Sequence, residues 1–96
     1  MLHTLYTSPY SSSSLKLCLD YAQAPSAILL AEDAVVAAIE QGEWFLPLLS
    51  SNHRIYVLQE DVQARGLEGK IASEFELVDI KGFVCLTEQH VTQMKW

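Results

Sequence analysis

The chain has 96 residues, half of them hydrophobic, with 12 acidic against 6 basic side chains and a formal net charge of −6. The basic residues Lys16, Arg54, Arg65, Lys70, Lys81 and Lys95 are scattered, which excludes the clustered cationic surface that direct binding of nucleic acid needs. No run approaches 18 continuous apolar residues and the start, Met1–Tyr6, lacks a basic n-region and signal-peptide core, so neither a transmembrane helix nor export is expected, and a cytoplasmic location follows.

One domain over residues 1–96 is expected. A chain this short removes only about 60–65% of its unfolded surface from water, yet its mean hydropathy is +0.15. The apolar surplus must lie at the surface, where it marks contact with a partner; an oligomer is inferred. Cys18 and Cys85 form neither a CxxC nor a metal-type spacing, and in a reducing compartment both are free thiols.

The first apolar run, Leu2–Tyr6, reads as a strand. Residues 7–14 follow as a turn rich in serine, whose hydroxyls are expected to cap the next helix. That helix carries Leu15, Cys18, Leu19 and Ala22 at i, i+3, i+4, i+7, one apolar face. Ala27–Ala31 is the second strand, and Asp33 is expected to cap a helix over Ala34–Gln41 that Gly42 ends. Trp44–Leu49 reads as a short helical turn around Pro47. Ile55–Leu58 is the third strand, followed by a second acidic cap at Glu60-Asp61 and a stop at Gly66. Glu76–Val78 is the fourth strand; Asp79 caps a helix over Ile80–Gln89, weakened by Gly82, and the tail His90–Trp96 adds a short final strand. Short strands alternating with helices predict βαβ units: a small three-layer α/β domain with a parallel sheet, flavodoxin-like, covered by helices on both faces.

Ligands of such sheets collect at the carboxyl ends of the strands, here residues 7–14, 32–33 and 59–61. Residues 7–14 offer hydroxyls suited to a phosphate but no glycine for close backbone approach; a free-standing flavodoxin-like phosphate-binding module is therefore a third-ranked reading. The acidic pairs Glu32-Asp33 and Glu60-Asp61 suit acid–base or metal work, but capping is favoured about four to one on the usual role of acids at helix starts. His3, His53 and His90 lie in separate elements without ligand spacing, so no metal is expected, and no other cofactor is called for. Cys18 is the remaining candidate for chemistry, since a thiolate near a helix N-terminus is reactive. Its place on an apolar face with Leu15 and Leu19 favours a buried core thiol, and Cys85 reads as structural.

Taken together, the opening Met1-Leu2-His3-Thr4-Leu5 with Ser8-Pro9, then Leu30-x-Glu32-Asp33 with Ala37-Ala38, resembles the TusB/DsrH family. So do Tyr56-Val57-Leu58-x-x-Asp61-x-x-Ala64-Arg65-Gly66-Leu67, Val78-Asp79-x-x-x-Phe83-Val84-x-Leu86-Thr87 and the close His90-x-x-Gln93-Met94-x-Trp96. The resemblance runs in order over nearly the whole chain. It implies a DsrE/DsrF-like fold and a heterohexamer with TusC-like and TusD-like subunits. Such a complex takes persulfide sulfur from a TusA-like carrier and passes it through a TusE-like protein toward 2-thiolation of the tRNA wobble uridine, its principal relay cysteine belonging to the D/DsrE subunit. The chain itself is then an accessory subunit, not catalytic alone. The segment Ser14-Leu15-x-x-Cys18-Leu19 resembles the DsrH stretch that carries that subunit's own cysteine. The alternative implied is a DsrH-like subunit using Cys18 as a persulfide carrier in dissimilatory sulfur metabolism. Trp44, Phe45 and Trp96 are the expected contact residues, because large aromatics anchor interfaces; ordinary core packing has equal weight for each.

Overall fold

A computed structural model describes residues 1–96. Strands β1 (Leu2–Leu5), β2 (Ala27–Leu30), β3 (Arg54–Leu58), β4 (Glu76–Val78) and β5 (Gln93–Lys95) form one sheet in the order β4-β3-β2-β1-β5. Every neighbouring pair is parallel: Leu2 faces Ala27 and Gln93, Ala27 faces Arg54, and Tyr56 faces Glu76. Four α-helices, α1 (Ser14–Tyr21), α2 (Phe45–Leu49), α3 (Gln59–Ala64) and α4 (Ile80–Gln89), and a 3-10 helix over Glu32–Ala38 make the connections. None is long and apolar enough to cross a membrane.

The strand order decides how the faces are covered. From β1 to β4 each crossover steps one strand in the same direction, so right-handed connections put their helices on one face. The last crossover must return from β4 to β5 at the opposite edge, which sends α4 to the other face. The two cores match this division. Leu5, Ile28, Leu30, Ile55 and Val57 pack with Leu15 and Cys18 of α1, Ala34, Val35, Ala37 and Ala38 of the 3-10 helix, Leu48 of α2 and Val62 of α3. On the reverse face Leu2, Ala27, Leu29 and Tyr56 pack against Leu86, with Phe83 and Val78 beside it. Both faces are covered, as the sequence predicts, but unequally.

The ends of the helices show which local signals hold. Asp79 caps α4 as expected, its carboxylate accepting from the Gly82 N–H at 2.8 Å. Gly82 is more than a weak helix residue: a Cβ there would lie 3.1 Å from Val78 Cβ, so its absence lets the first turn of α4 close on β4. Gly66, at φ +65, ends α3 as predicted. Its N–H donates to the Gln63 carbonyl and that of Leu67 to the Val62 carbonyl, the paired bonds of a Schellman end.

The other acidic caps are corrected. The expected helix over 34–41 is a 3-10 helix over Glu32–Ala38 without a side-chain cap. Nor does an acid cap α3. The carboxylates reach across to other connections instead. Asp61 accepts the Glu32 N–H at 2.6 Å, Arg65 Nε and Nη2 donate to Asp33 Oδ1 at 3.1 and 2.9 Å, and Glu60 accepts the Ile80 N–H at 3.2 Å. Glu32 has φ +50, a left-handed conformation unfavourable for a residue with a Cβ, and Asp61 holds its amide there. Serine capping of α1 is also corrected: Ser13 makes no cap bond with its side chain, and Ser12 Oγ accepts the Ser14 N–H at 3.2 Å.

Replacing Asp61 by Ala leaves a constrained amide without its acceptor. A loss of about 1–3 kcal/mol is expected, lowering Tm by on the order of 5–15 °C. Lys16→Ala, which removes an exposed pair with Asp20 at 3.5 Å, is expected to stay within about 0.5 kcal/mol. Thermal melts of the two variants compare them directly.

Candidate functional site

At the carboxyl edge of the sheet the three loops singled out from the sequence follow the adjacent strands β1, β2 and β3, and those at residues 32–33 and 59–61 are bonded to each other. Many of their polar groups are already engaged. Asp33, Glu60 and Asp61 make the bonds described above, and in the serine loop the amides of Tyr10, Ser11, Ser12 and Ser14 are bonded to Ser8 or Ser12. Lys16, on the same side, pairs with Asp20. No three His, Cys, Asp or Glu side chains converge into a group able to hold a metal ion. The carboxyl edge is thus a set of braces between crossovers.

Cys18 sits one turn into α1, in the core cluster with Leu5, Leu15, Ile28 and Leu30, and is 0% exposed. Burial pushes its thiol up to about 12, because an apolar surrounding opposes the charged thiolate. At pH 7 a thiol with that pKa is ionised in about one molecule in 10⁵, and no attacking group can reach the sulfur in this conformation. Cys85 is the opposite: it lies exposed on α4.

The three aromatic candidates are neither free nor fully enclosed. Trp44, Phe45 and Trp96 are each partly buried against the larger core, and the Phe45 ring lies 5.9 Å from that of Phe75. Trp96 is also hydrogen-bonded through Nε1 to His3 Nδ1 at 3.0 Å. His3 is a buried residue of β1, and its pKa is lowered first by burial. Sequence reading missed several exposed apolar side chains elsewhere. Leu46 and Leu49 flank Phe45 on α2, and Ile80 and Val84 lie along α4 with Leu77 in β4 just before it. The signal was present in α4, which carries two apolar stripes: Phe83 and Leu86 face the sheet, so Ile80 and Val84, at i and i+4, are left for solvent.

Residues 7–93 match the family model described as DsrH like protein. The chain is 38% identical over 96 residues, the full length of both, to Protein TusB of Escherichia coli K12, and equally to Protein TusB of Pectobacterium parmentieri. The chain belongs to the DsrH/TusB family. Solved structures of the same fold include the ychN protein of Escherichia coli, with a TM-score of 0.74 at 15% identity over 99% of this chain and 97% of that one. Another is MTH1491 of Methanobacterium thermoautotrophicum, a protein of unknown function, with a TM-score of 0.72 at 12% identity over 99% and 96%. At these identities they establish the DsrH/TusB chain's fold alone.

The burial of Cys18 has two measurable consequences. A disulfide-exchange reagent is expected to titrate one thiol per native chain, Cys85, and both in denaturant; two fast thiols in the native chain would mean that α1 opens readily. Because the folded pKa of Cys18 is raised above the ordinary 9.0, its contribution to stability is complete below about pH 9 and is lost as pH rises toward 12. Tm of the wild type is therefore expected to fall more steeply above pH 9 than that of Cys18→Ala.

Proposed function

We propose that this chain is the docking subunit of a cytosolic sulfur-relay complex, assembled with TusC-like and TusD-like chains and serving 2-thiolation of the tRNA wobble uridine. Sulfur reaches the complex from a TusA-like carrier and leaves through a TusE-like protein, while the relay thiol is contributed by a sister subunit. The observation that carries this reading is the contrast between a sequestered Cys18 and an apolar exterior. Persulfide transfer is the attack of a thiolate on the outer sulfur of another protein's persulfide, so it requires an ionised, reachable sulfur. Cys18 offers neither. Full-length similarity to proteins named TusB supports the pathway.

Two surfaces suit docking. On α2, Leu46 is 68% exposed and Leu49 is also exposed, beside the partly buried rings of Trp44 and Phe45. On the opposite side of the sheet, Ile80 and Val84 are exposed on the outer side of α4. Half-covered aromatics bordered by exposed leucines have the character of interface anchors, which lose their remaining water on association. Trp96 belongs instead to the chain's own C-terminal edge through its bond to His3.

Charged replacements test these surfaces without touching the cores. Leu46→Asp with Leu49→Asp, and separately Ile80→Asp with Val84→Asp, are expected to leave the lone chain folded by circular dichroism. They are expected to weaken capture of the co-expressed TusC-like and TusD-like subunits by at least about 30-fold, as loss of a hot spot does. Undiminished assembly by both double variants would refute these docking faces. Cys18→Ala is expected to leave 2-thiouridine in cellular tRNA at the wild-type level; its loss in a variant that still assembles would return the carrier role to Cys18.

A further inference from the structure

The C-terminal strand is attached to the sheet by few groups, and one of them titrates. β5 has three residues and pairs only with β1. The Leu2 N–H donates to the Thr92 carbonyl at 3.1 Å and the Trp96 N–H to the Thr4 carbonyl at 2.9 Å, one bond at each end of the pairing. Val91, which leads into it, is 100% exposed, so the approach from α4 adds no packing. Gln93 Nε2 bonds back to the carbonyls of Thr87 and His90, which ties the segment to α4 rather than to the sheet. On the sheet side it is held by the parallel pairing with β1 and by the side chain of Trp96. The indole packs with Tyr21 of α1, ring centroids 5.6 Å apart, and with His3, 6.1 Å apart, and its Nε1–H donates to His3 Nδ1 at 3.0 Å.

An indole nitrogen only donates, so Nδ1 of His3 must accept, which fixes the imidazole as neutral with its proton on Nε2. His3 is 1% exposed, on a central strand. Nε2 has no partner in the chain; His3 borders an open cavity of about 480 Å³ lined also by Met1, Tyr21, Gln23, Ala24, Pro25 and Ser26. The titratable groups around the imidazole are Tyr21 from α1, His53 from the turn before β3 and the α-amino group of Met1. Lys95 of β5 stacks 5.0 Å over the ring of Tyr6, on the other face of the sheet. None of these groups is a carboxylate that would welcome an imidazolium.

We propose that the His3–Trp96 pair is an acid-sensitive latch, and that protonation of His3 frees the C-terminal segment, residues 91–96, from the edge of β1. A proton on Nδ1 turns its lone pair into an N–H that faces the indole N–H, so the bond is lost and two donors oppose each other. It also leaves a cation buried between Trp96 and Tyr21. Opening relieves both by returning His3 to water and exposes the β1 edge together with the cavity beside it. The sign follows from the lowered pKa of closed His3. Above pH 6.5 both states are neutral and the latch is closed. Below it the open state takes the proton first, so the closed fraction declines by up to tenfold in its equilibrium constant per pH unit until the closed state also protonates. The inference does not rest on the sulfur-relay reading, and neither result bears on the other.

The test uses the full chain with Trp44→Phe, which leaves Trp96 as the single tryptophan. Between pH 8 and pH 5 its fluorescence is expected to shift to the red and become quenchable by iodide, with a midpoint below 6.5. Amide protection factors, corrected for the intrinsic pH dependence of exchange, should fall at residues 93–96 and remain high at residues 28–30 and 55–57. His3→Gln keeps an acceptor for the indole but cannot titrate, and is expected to abolish the transition; His53→Gln should retain it. If His3→Gln does not fold, nitrogen NMR of the wild-type imidazole replaces it, with a neutral Nε2–H tautomer expected at pH 8. An unchanged Trp96 down to pH 5, a transition that survives in His3→Gln, an Nδ1–H tautomer, or release only when the central strands also open would each overturn the latch.

Discussion

The return crossover governs this molecule. Three connections that advance the chain strand by strand place α1, the 3-10 helix, α2 and α3 on a single face, and one connection must then carry the chain back over the sheet. The ten residues of α4 are the only helix available for the second face. They bury Leu2, Leu29 and Tyr56 beneath Leu86 and Phe83, and the geometry leaves Ile80 and Val84 turned outward. On the crowded face the demand is different: three short connections lie side by side, and the Asp61–Glu32 and Arg65–Asp33 bonds tie two of them together, while Glu60 reaches the Ile80 amide at the start of α4.

From this division follow the two properties that define the chemistry. The crowded face encloses Cys18 so completely that its sulfur is an ordinary core atom with a strongly disfavoured anion. The short helices, α2 in particular, are too small to bury all of their apolar residues, so leucines remain in water. A fold that hides its thiol and exposes its leucines suits association better than sulfur transfer.

Much of this was legible in the residues. The apolar runs at Leu2–Tyr6, Ala27–Ala31 and Ile55–Leu58 gave their strands within a residue or so, because the buried strands of a parallel sheet read as continuous hydrophobic stretches, and the exposed edge strand Glu76–Val78 was also found. Gly66 and Asp79 marked their helix ends by local geometry alone. The acids at 32–33 and 60–61 misled, since a carboxylate beside a helix start in sequence has the same appearance whether it caps that helix or reaches its neighbour; only the packing of the crossovers decides. The 3-10 form of Glu32–Ala38 has the same origin: the positive φ of Glu32 and the contact with Asp61 set the entry. Neither is local. The ambiguity of Cys18 and of the three aromatics was likewise one of burial, which an apolar face announces without saying how deep each residue lies. His3 and Trp96 are 93 positions apart, and no local pattern connects them.

The central claim is that this subunit docks and a sister subunit carries the sulfur. The most direct measurement is to load the assembled complex with an isotopically labelled persulfide and locate the label residue by residue by mass spectrometry under non-reducing conditions. Label on a sister chain's cysteine, with Cys18 unmodified, is the expected result. Stoichiometric label on Cys18 in the intact complex would contradict it.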